Sequence, residues 1–290
     1  MKRAFILLSV LLSTGLIINA QVLWKIKSAA SKQVSYIFVT HKLIPIVYLD
    51  SIPGLFSAFG QCETVISEIA LNRIEDIEKI KNASILPDQQ VLSDLLSIED
   101  YAFAEKEIPP LLHIELSHVA RMHPIVLLPV FEAAAYKKAE GFLADSESDS
   151  YFQLVAQQQG KKTVGLDKAE EQIETMRGNI SPEGGAQLLS EALRDKEKLI
   201  SRLKEEVRLY KQGTLEALSE SRRKEAAKRF ATDEAYNNYL KRKNTVWSKL
   251  LVEHIDKAPC FINVGAEYLT GRYGLFEMLR GKGYSIRPVQ

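Results

Sequence analysis

Phe261–Val289 reads FINVGAEYLTGRYGLFEMLRGKGYSIRPV, and the order of signals within it decides the fold class. FINV is a short apolar run of β-prone residues. Gly265, Gly271 and Gly274 then mark a loop, LFEMLR has helical character, and YSIRPV alternates apolar and polar residues as a last strand does. Strand, glycine loop, helix and strand in close succession describe a helix laid over a sheet.

Working outward, the same strand signals recur near the N-terminus and once in the middle. Val22–Ile26 and Val34–Thr40 form a hairpin-like pair around a polar stretch, Thr64–Ile69 (TVISEI) is a third strand, and Lys162–Leu166 (KTVGL) a fourth; Cys260–Val264 and Tyr284–Val289 are the fifth and sixth. Glu75–Gly141 is helical in pattern, broken by Pro109-Pro110, Pro124 and Pro129. The polar Asp145–Ser150 segment caps a helix beginning near Tyr151. Leu189, Leu193, Ile200, Leu203, Val207 and Tyr210 trace one amphipathic helix that ends at Gly213. Asp233 caps another, striped by Tyr236, Leu240, Asn244, Trp247 and Leu251. With strands at both ends and helices between, the expected fold is a single α/β (α+β) domain. Its mixed central sheet is built from both chain ends and covered by helices, with a helical middle.

Composition narrows the classes. Hydrophobic residues make up 46% and charged residues 26%, ordinary for a folded chain, so disorder is excluded. The 38 basic against 37 acidic residues supply no long-range attraction to nucleic acid. Cys62 and Cys260 are too few for a disulfide scaffold, and both adjoin apolar runs, as buried free thiols do. Lys2-Arg3, the apolar centre Ala4–Ile18 and the small residue Ala20 read as a secretory signal at residues 1–20, cleaved between Ala20 and Gln21. The apolar run is shorter than the ~20 residues that span a bilayer. The mature domain, 21–290, is therefore expected in the periplasm or cell envelope without a transmembrane segment.

Four places go beyond core filling: Ser35–Pro45 (SYIFVTHKLIP), a strand running into a basic loop with His41 and Lys42; Thr64–Ile69, with Glu68 in an apolar strand; Lys162–Gln172 (KTVGLDKAEEQ), a strand with an acidic turn; and Phe261–Val289. Loops at strand ends are where α/β proteins keep their chemistry. Plainer readings stand beside these. Glu68 can be a strand residue satisfied locally, His41 can be structural, and Asn244 on an apolar stripe needs internal partners. His113, His118 and His123 are five apart, which on a helix rotates each ring ~140° from the last and rules out a shared metal. Arg222–Arg229 reads as a solvated helix face. Gly271–Gly274 with Arg272 is a weak anion-site pattern.

In this order the four segments resemble the TraB/GumN family, which includes the pheromone-shutdown proteins and the TIKI metalloproteases. The resemblance runs from about Leu23 to Val289. It includes Asp149-Ser150-Tyr151-Phe152, and Lys243-Asn244 to Trp247, where the family usually has Arg-Asn and a following Trp. The resemblance implies a metal-dependent hydrolytic site with two Gly-x-x-His elements and carboxylates. In this chain the first element is Val39-Thr40-His41-Lys42, with Lys42 at the histidine position. The second is Gly265-Ala266-Glu267-Tyr268, with Tyr268 at the histidine position, and the family's Gly-Leu-Glu turn becomes Gly165-Leu166-Asp167; Glu68, Gln172 and Asn244 survive. A lysine ammonium repels a dication, and a phenol stays protonated at neutral pH. Lys42 is expected to pair with Glu68 or Asp167.

The expected function is that of an exported, catalytically degenerate relative with a binding role and no cofactor, its partner a peptide, an envelope protein or a small ligand. One alternative is an active peptidase or hydrolase using His41, Glu68 and Asp167 with manganese, cobalt or zinc. Another is a structural envelope protein acting through interactions alone. Glu68, Lys42, Asp167 and Tyr268 are expected to converge on one cleft, with Asn244 nearby.

Overall fold

Six β-prone segments assemble into one sheet in the computed structural model, which describes residues 21–28, 33–141 and 148–289. The strands are β1 (Leu23–Ser28), β2 (Val34–Thr40), β3 (Thr64–Ser67), β4 (Lys162–Gly165), β5 (Cys260–Gly265) and β6 (Tyr284–Pro288), in the spatial order β4-β3-β5-β2-β1-β6. β4, β3, β5 and β2 run parallel; β1 is antiparallel to both β2 and β6. Both chain ends thus contribute to one mixed sheet in a single α+β domain surrounded by helices.

Burial follows from position in the sheet. β2, β3 and β5 are buried on both faces, as parallel strands covered by helices are, with mostly apolar residues and the buried polar Ser35, Thr64, Ser67 and Asn263 among them. β6 alternates instead: Tyr284 and Ile286 point inward while Ser285 and Arg287 face solvent. Pro288 and the charged outer face protect that edge.

The longer helices among the described residues are α1 (Ile74–Ala83), α2 (Ile98–Glu107), α3 (Pro124–Glu140), α4 (Ser148–Gln158), α5 (Ala169–Arg177), α6 (Pro182–Arg194), α7 (Lys196–Gln212), α8 (Leu215–Ala227) and α9 (Asp233–Ile255). On α4 the Phe152 ring is fully buried and lies 4.8–5.5 Å, centroid to centroid, from Phe38 of β2, Phe59 and Phe261 of β5. This aromatic cluster fastens one helical layer to the sheet. On α7 the buried face is Leu199, Leu203, Glu206, Val207 and Tyr210, and the Tyr210 hydroxyl donates to the Val39 carbonyl at 2.9 Å.

Several local expectations change. The single amphipathic helix through Leu189–Tyr210 is two helices, because Asp195 leaves helical geometry and its side chain accepts from the Lys198 amide to cap α7. Pro124 opens α3, but Pro129 lies inside it without ending it. His113, His118 and His123 do not share a helix: His113 closes a short turn in left-handed geometry, His118 sits in a 3₁₀ turn, and His123 caps α3 through the Ile125 amide. Cys62 and Cys260 are buried free thiols, and burial pushes them up to about 12 and about 11. No helix among the described residues is long and apolar enough to cross a membrane. The expected signal segment, with Ala20, lies outside the described residues.

Candidate functional site

The parallel strands all point their carboxyl ends the same way, so the loops after β2, β3, β4 and β5 meet on one edge of the sheet. That edge carries His41 and Lys42, Glu68, Asp167, and Glu267 with Tyr268. Two backbone bonds extend the β3–β4 ladder past the strands: Leu166 N–H donates to Ser67 O at 2.9 Å and Asp167 N–H to Glu68 O at 2.8 Å. Gly165 allows this closure, since a Cβ there would lie 2.7 Å from the Ala70 backbone nitrogen. β3 ends at Ser67, so Glu68 stands just beyond the strand, where a side chain can reach a cleft.

The charged groups of that edge fall into two halves. In the first, Asp167 is buried and receives the Trp247 indole N–H at 2.6 Å and the Lys243 ammonium on its other oxygen. That ammonium lies 4.4 Å from the Trp247 ring centroid and 5.4 Å from that of Tyr268. Burial raises the pKa of Asp167, with Lys243 opposing. Glu68 accepts the Gly265 amide at 3.0 Å, and burial pushes it up to about 8; Lys243 opposes the rise and the Glu267 charge adds to it. Asn244, one residue along from Lys243, donates to the carbonyls of Tyr268 at 2.9 Å and Tyr273 at 2.7 Å. It holds the loop that carries Tyr268.

The second half is a network of ions. Glu206 on α7 bonds Arg202 at 3.0 Å and lies 3.5 Å from Arg222 and 3.7 Å from His41 Nε2. Arg222 on α8 reaches Glu267 at 3.3 Å, and Arg202 reaches Glu132 of α3 at 2.5 Å. Lys42 pairs with Glu132 at 3.5 Å and also approaches the Pro129 carbonyl at 3.4 Å. Burial alone would raise Glu206, but the His41 hydrogen bond and the Arg222 and Arg202 charges hold it down at about 2. Arg222 is raised, chiefly by Glu267. Burial lowers His41 and Lys42; Glu206 and Glu132 offset this in part, whereas Arg222 presses both further down.

Between α3, α6, α7, α8, α9 and the loop after β5 lies a cavity of about 560 Å³, lined by Lys42, Glu132, Arg222, Glu267 and Tyr268 among others. Its size is that of a small-molecule site. Among the described residues, seven basic side chains line it against five acidic ones.

These contacts test the fit of a divalent metal. His41 Nδ1 already accepts the Leu43 amide at 3.2 Å, which puts the imidazole proton of the neutral ring on Nε2, toward Glu206. Both oxygens of Asp167 are engaged, and Arg222 neutralises Glu267. Among the described residues no three His, Cys, Asp or Glu side chains are grouped to hold a metal ion. The donor set does not fit a dication.

The expected residues therefore share one edge but divide their partners differently. Glu68 and Asp167 lie in the field of Lys243, and His41 is turned to Glu206. Lys42 pairs with Glu132, not with Glu68 or Asp167, because α3 brings a carboxylate closer; Lys243 takes the role expected of Lys42. The Arg222–Arg229 face is not simply solvated, since Arg222 and Arg229 line the cavity. Sequence reasoning missed Glu132, Arg202, Glu206 and Lys243 as site groups. Glu206 had a signal: it falls in helical phase with Leu203 and Tyr210 on an otherwise apolar face.

The family model described as the TraB/PrgY/gumN family matches residues 22–288 of the chain. Neither the curated proteins nor the solved structures include a match.

Proposed function

Because the chain belongs to the TraB/PrgY/gumN family, we propose that it is an exported member in which internal ion pairs have replaced the metal-hydrolase centre, and that it acts by binding a ligand at the cleft. The observation that carries this reading is the Lys243 ammonium, held by Asp167 and set against the Trp247 and Tyr268 rings. It supplies a fixed positive charge beside the carboxylates that a dication would need. Lys42 and Tyr268, at the two histidine positions, add a second cation and a buried phenol whose burial keeps it protonated. The cavity remains large enough for a peptide segment or a small ligand.

One observation favours an active hydrolase instead: Glu68, pushed up to about 8 at the cleft, has the protonation of a general acid. A peptidase assay separates the two. Purified protein is incubated with a mixed peptide substrate and manganese, cobalt or zinc, alongside Glu68→Gln. The binding reading expects no metal-dependent cleavage; cleavage that Glu68→Gln abolishes would establish the hydrolase.

Export is part of the proposal and rests on the Lys2–Ala20 signal pattern. The intact mass of protein recovered from its native host should correspond to a chain beginning at Gln21. A chain retaining Met1 would contradict export with cleavage.

A further inference from the structure

We propose that the cavity takes a small organic anion, with its carboxylate or phosphate group on Arg229 and Tyr236 and its apolar part against Phe230 and Tyr239. This rests on the binding reading above and names the ligand class of that same cleft.

Arg229 lines the cavity, and the only hydrogen bond of its guanidinium among the described residues is to the Thr175 carbonyl at 3.3 Å. No acidic side chain among the described residues stands within ion-pair distance of it. The neighbouring cations differ: Lys42, Arg202 and Arg222 each have a carboxylate partner. Burial lowers Arg229 and Arg222 lowers it further, while Glu132 and Glu267 offset this only at longer range and without contact. An arriving anion would relieve that imbalance.

Tyr236 is the second, independent observation. It also lines the cavity, is 4% exposed, and its buried hydroxyl has no hydrogen-bond partner among the described residues. A buried hydroxyl left unsatisfied is costly, and such groups persist where a ligand completes them. Arg222, Arg229 and Glu267 all act electrostatically on this phenol, which places it among the same charges. An O–H donor beside a guanidinium is a pair suited to the oxygens of a carboxylate or phosphate. The rings of Phe230, Tyr236 and Tyr239 lie 4.9–6.1 Å apart, centroid to centroid, and give the site an apolar wall. A bare inorganic ion would leave that wall unused, which is why the ligand is assigned an apolar part.

The test is isothermal titration of the full mature chain with phenylacetate and with phenyl phosphate, which distinguish the two anion types. Phenylacetamide serves as the neutral control. At least one anion should bind at one equivalent, and phenylacetamide should bind at least about tenfold more weakly, as loss of a charge-assisted contact predicts. Tyr236→Phe should keep the fold intact, since no internal bond is lost, and weaken the anion about three- to tenfold. Arg229→Gln should weaken it about tenfold or more, while Arg229→Lys retains part of the binding. Binding of neither anion, or affinities unchanged in both Tyr236→Phe and Arg229→Gln, would overturn the proposal. Those results leave the reading of a displaced metal centre standing, whereas metal-dependent cleavage would sink that reading whether or not the anions bind.

Discussion

Glu68 and Lys243 set the chemistry of the cleft at the scale of single residues. Glu68 is held protonated by burial and the nearby Glu267 charge, while Lys243 already has Asp167 as its partner. Since the folded value of about 8 lies above the ordinary 4.5, the folded state binds more protons than the unfolded chain between those two pH values. Glu68 therefore contributes progressively less stability as pH rises through that window, and the loss levels off above about 8. Glu68→Gln removes the titration yet keeps an oxygen to accept the Gly265 amide. The stability of Glu68→Gln relative to wild type, followed by melting temperature, should rise from pH 5 to pH 8 by at most about 1.4 kcal/mol for each pH step of one. A difference that stays flat across this range would show that Glu68 titrates as an ordinary carboxyl.

At the scale of elements, the strands were the most legible feature and the ion partners the least. All six strands lie where the apolar runs place them, because β2, β3 and β5 are buried on both faces and need near-continuous apolar sequence. Helix breaks were harder to read. Asp195 interrupts a stripe that continues on both sides of it, and the cap that causes the break is one hydrogen bond to Lys198. The strand-end loops identified Lys42, Glu68, Asp167 and Tyr268 as neighbours of one edge, since topology alone brings them there. Which cation meets which carboxylate depends on the helices packed over that edge. Glu132 reaches Lys42 across 90 positions of chain and Lys243 reaches Asp167 across 76, distances that local pattern does not encode.

Asn244 links a helix to the site loop and offers a test at this scale. Its amide donates to two carbonyls after β5, so Asn244→Leu should leave both unpaired inside the fold. The expected loss is about 1–3 kcal/mol, read as a lower urea midpoint with an unchanged slope. An unchanged midpoint would mean that the loop is held by other contacts, such as Ser219 to the Ala266 carbonyl.

Over the whole molecule, one sheet gathers both chain ends, and beside its carboxyl edge lies a cavity whose walls come from α3 and from the helical second half. Sequence positions from Lys42 to Tyr268 meet there because β5 inserts between β3 and β2. The charges on that edge are set against a dication: basic side chains outnumber acidic ones around the cavity, and Asp167 and Glu267 near the strand ends are committed to internal cations.

Titration calorimetry with manganese, cobalt and zinc on the mature chain, in wild type and in Lys42→His combined with Tyr268→His, tests that arrangement most directly. Wild type should show no stoichiometric site, and the double variant should bind at least one of the metals more tightly because two imidazoles join the carboxylate edge. One tightly bound equivalent in the wild-type protein would contradict the account.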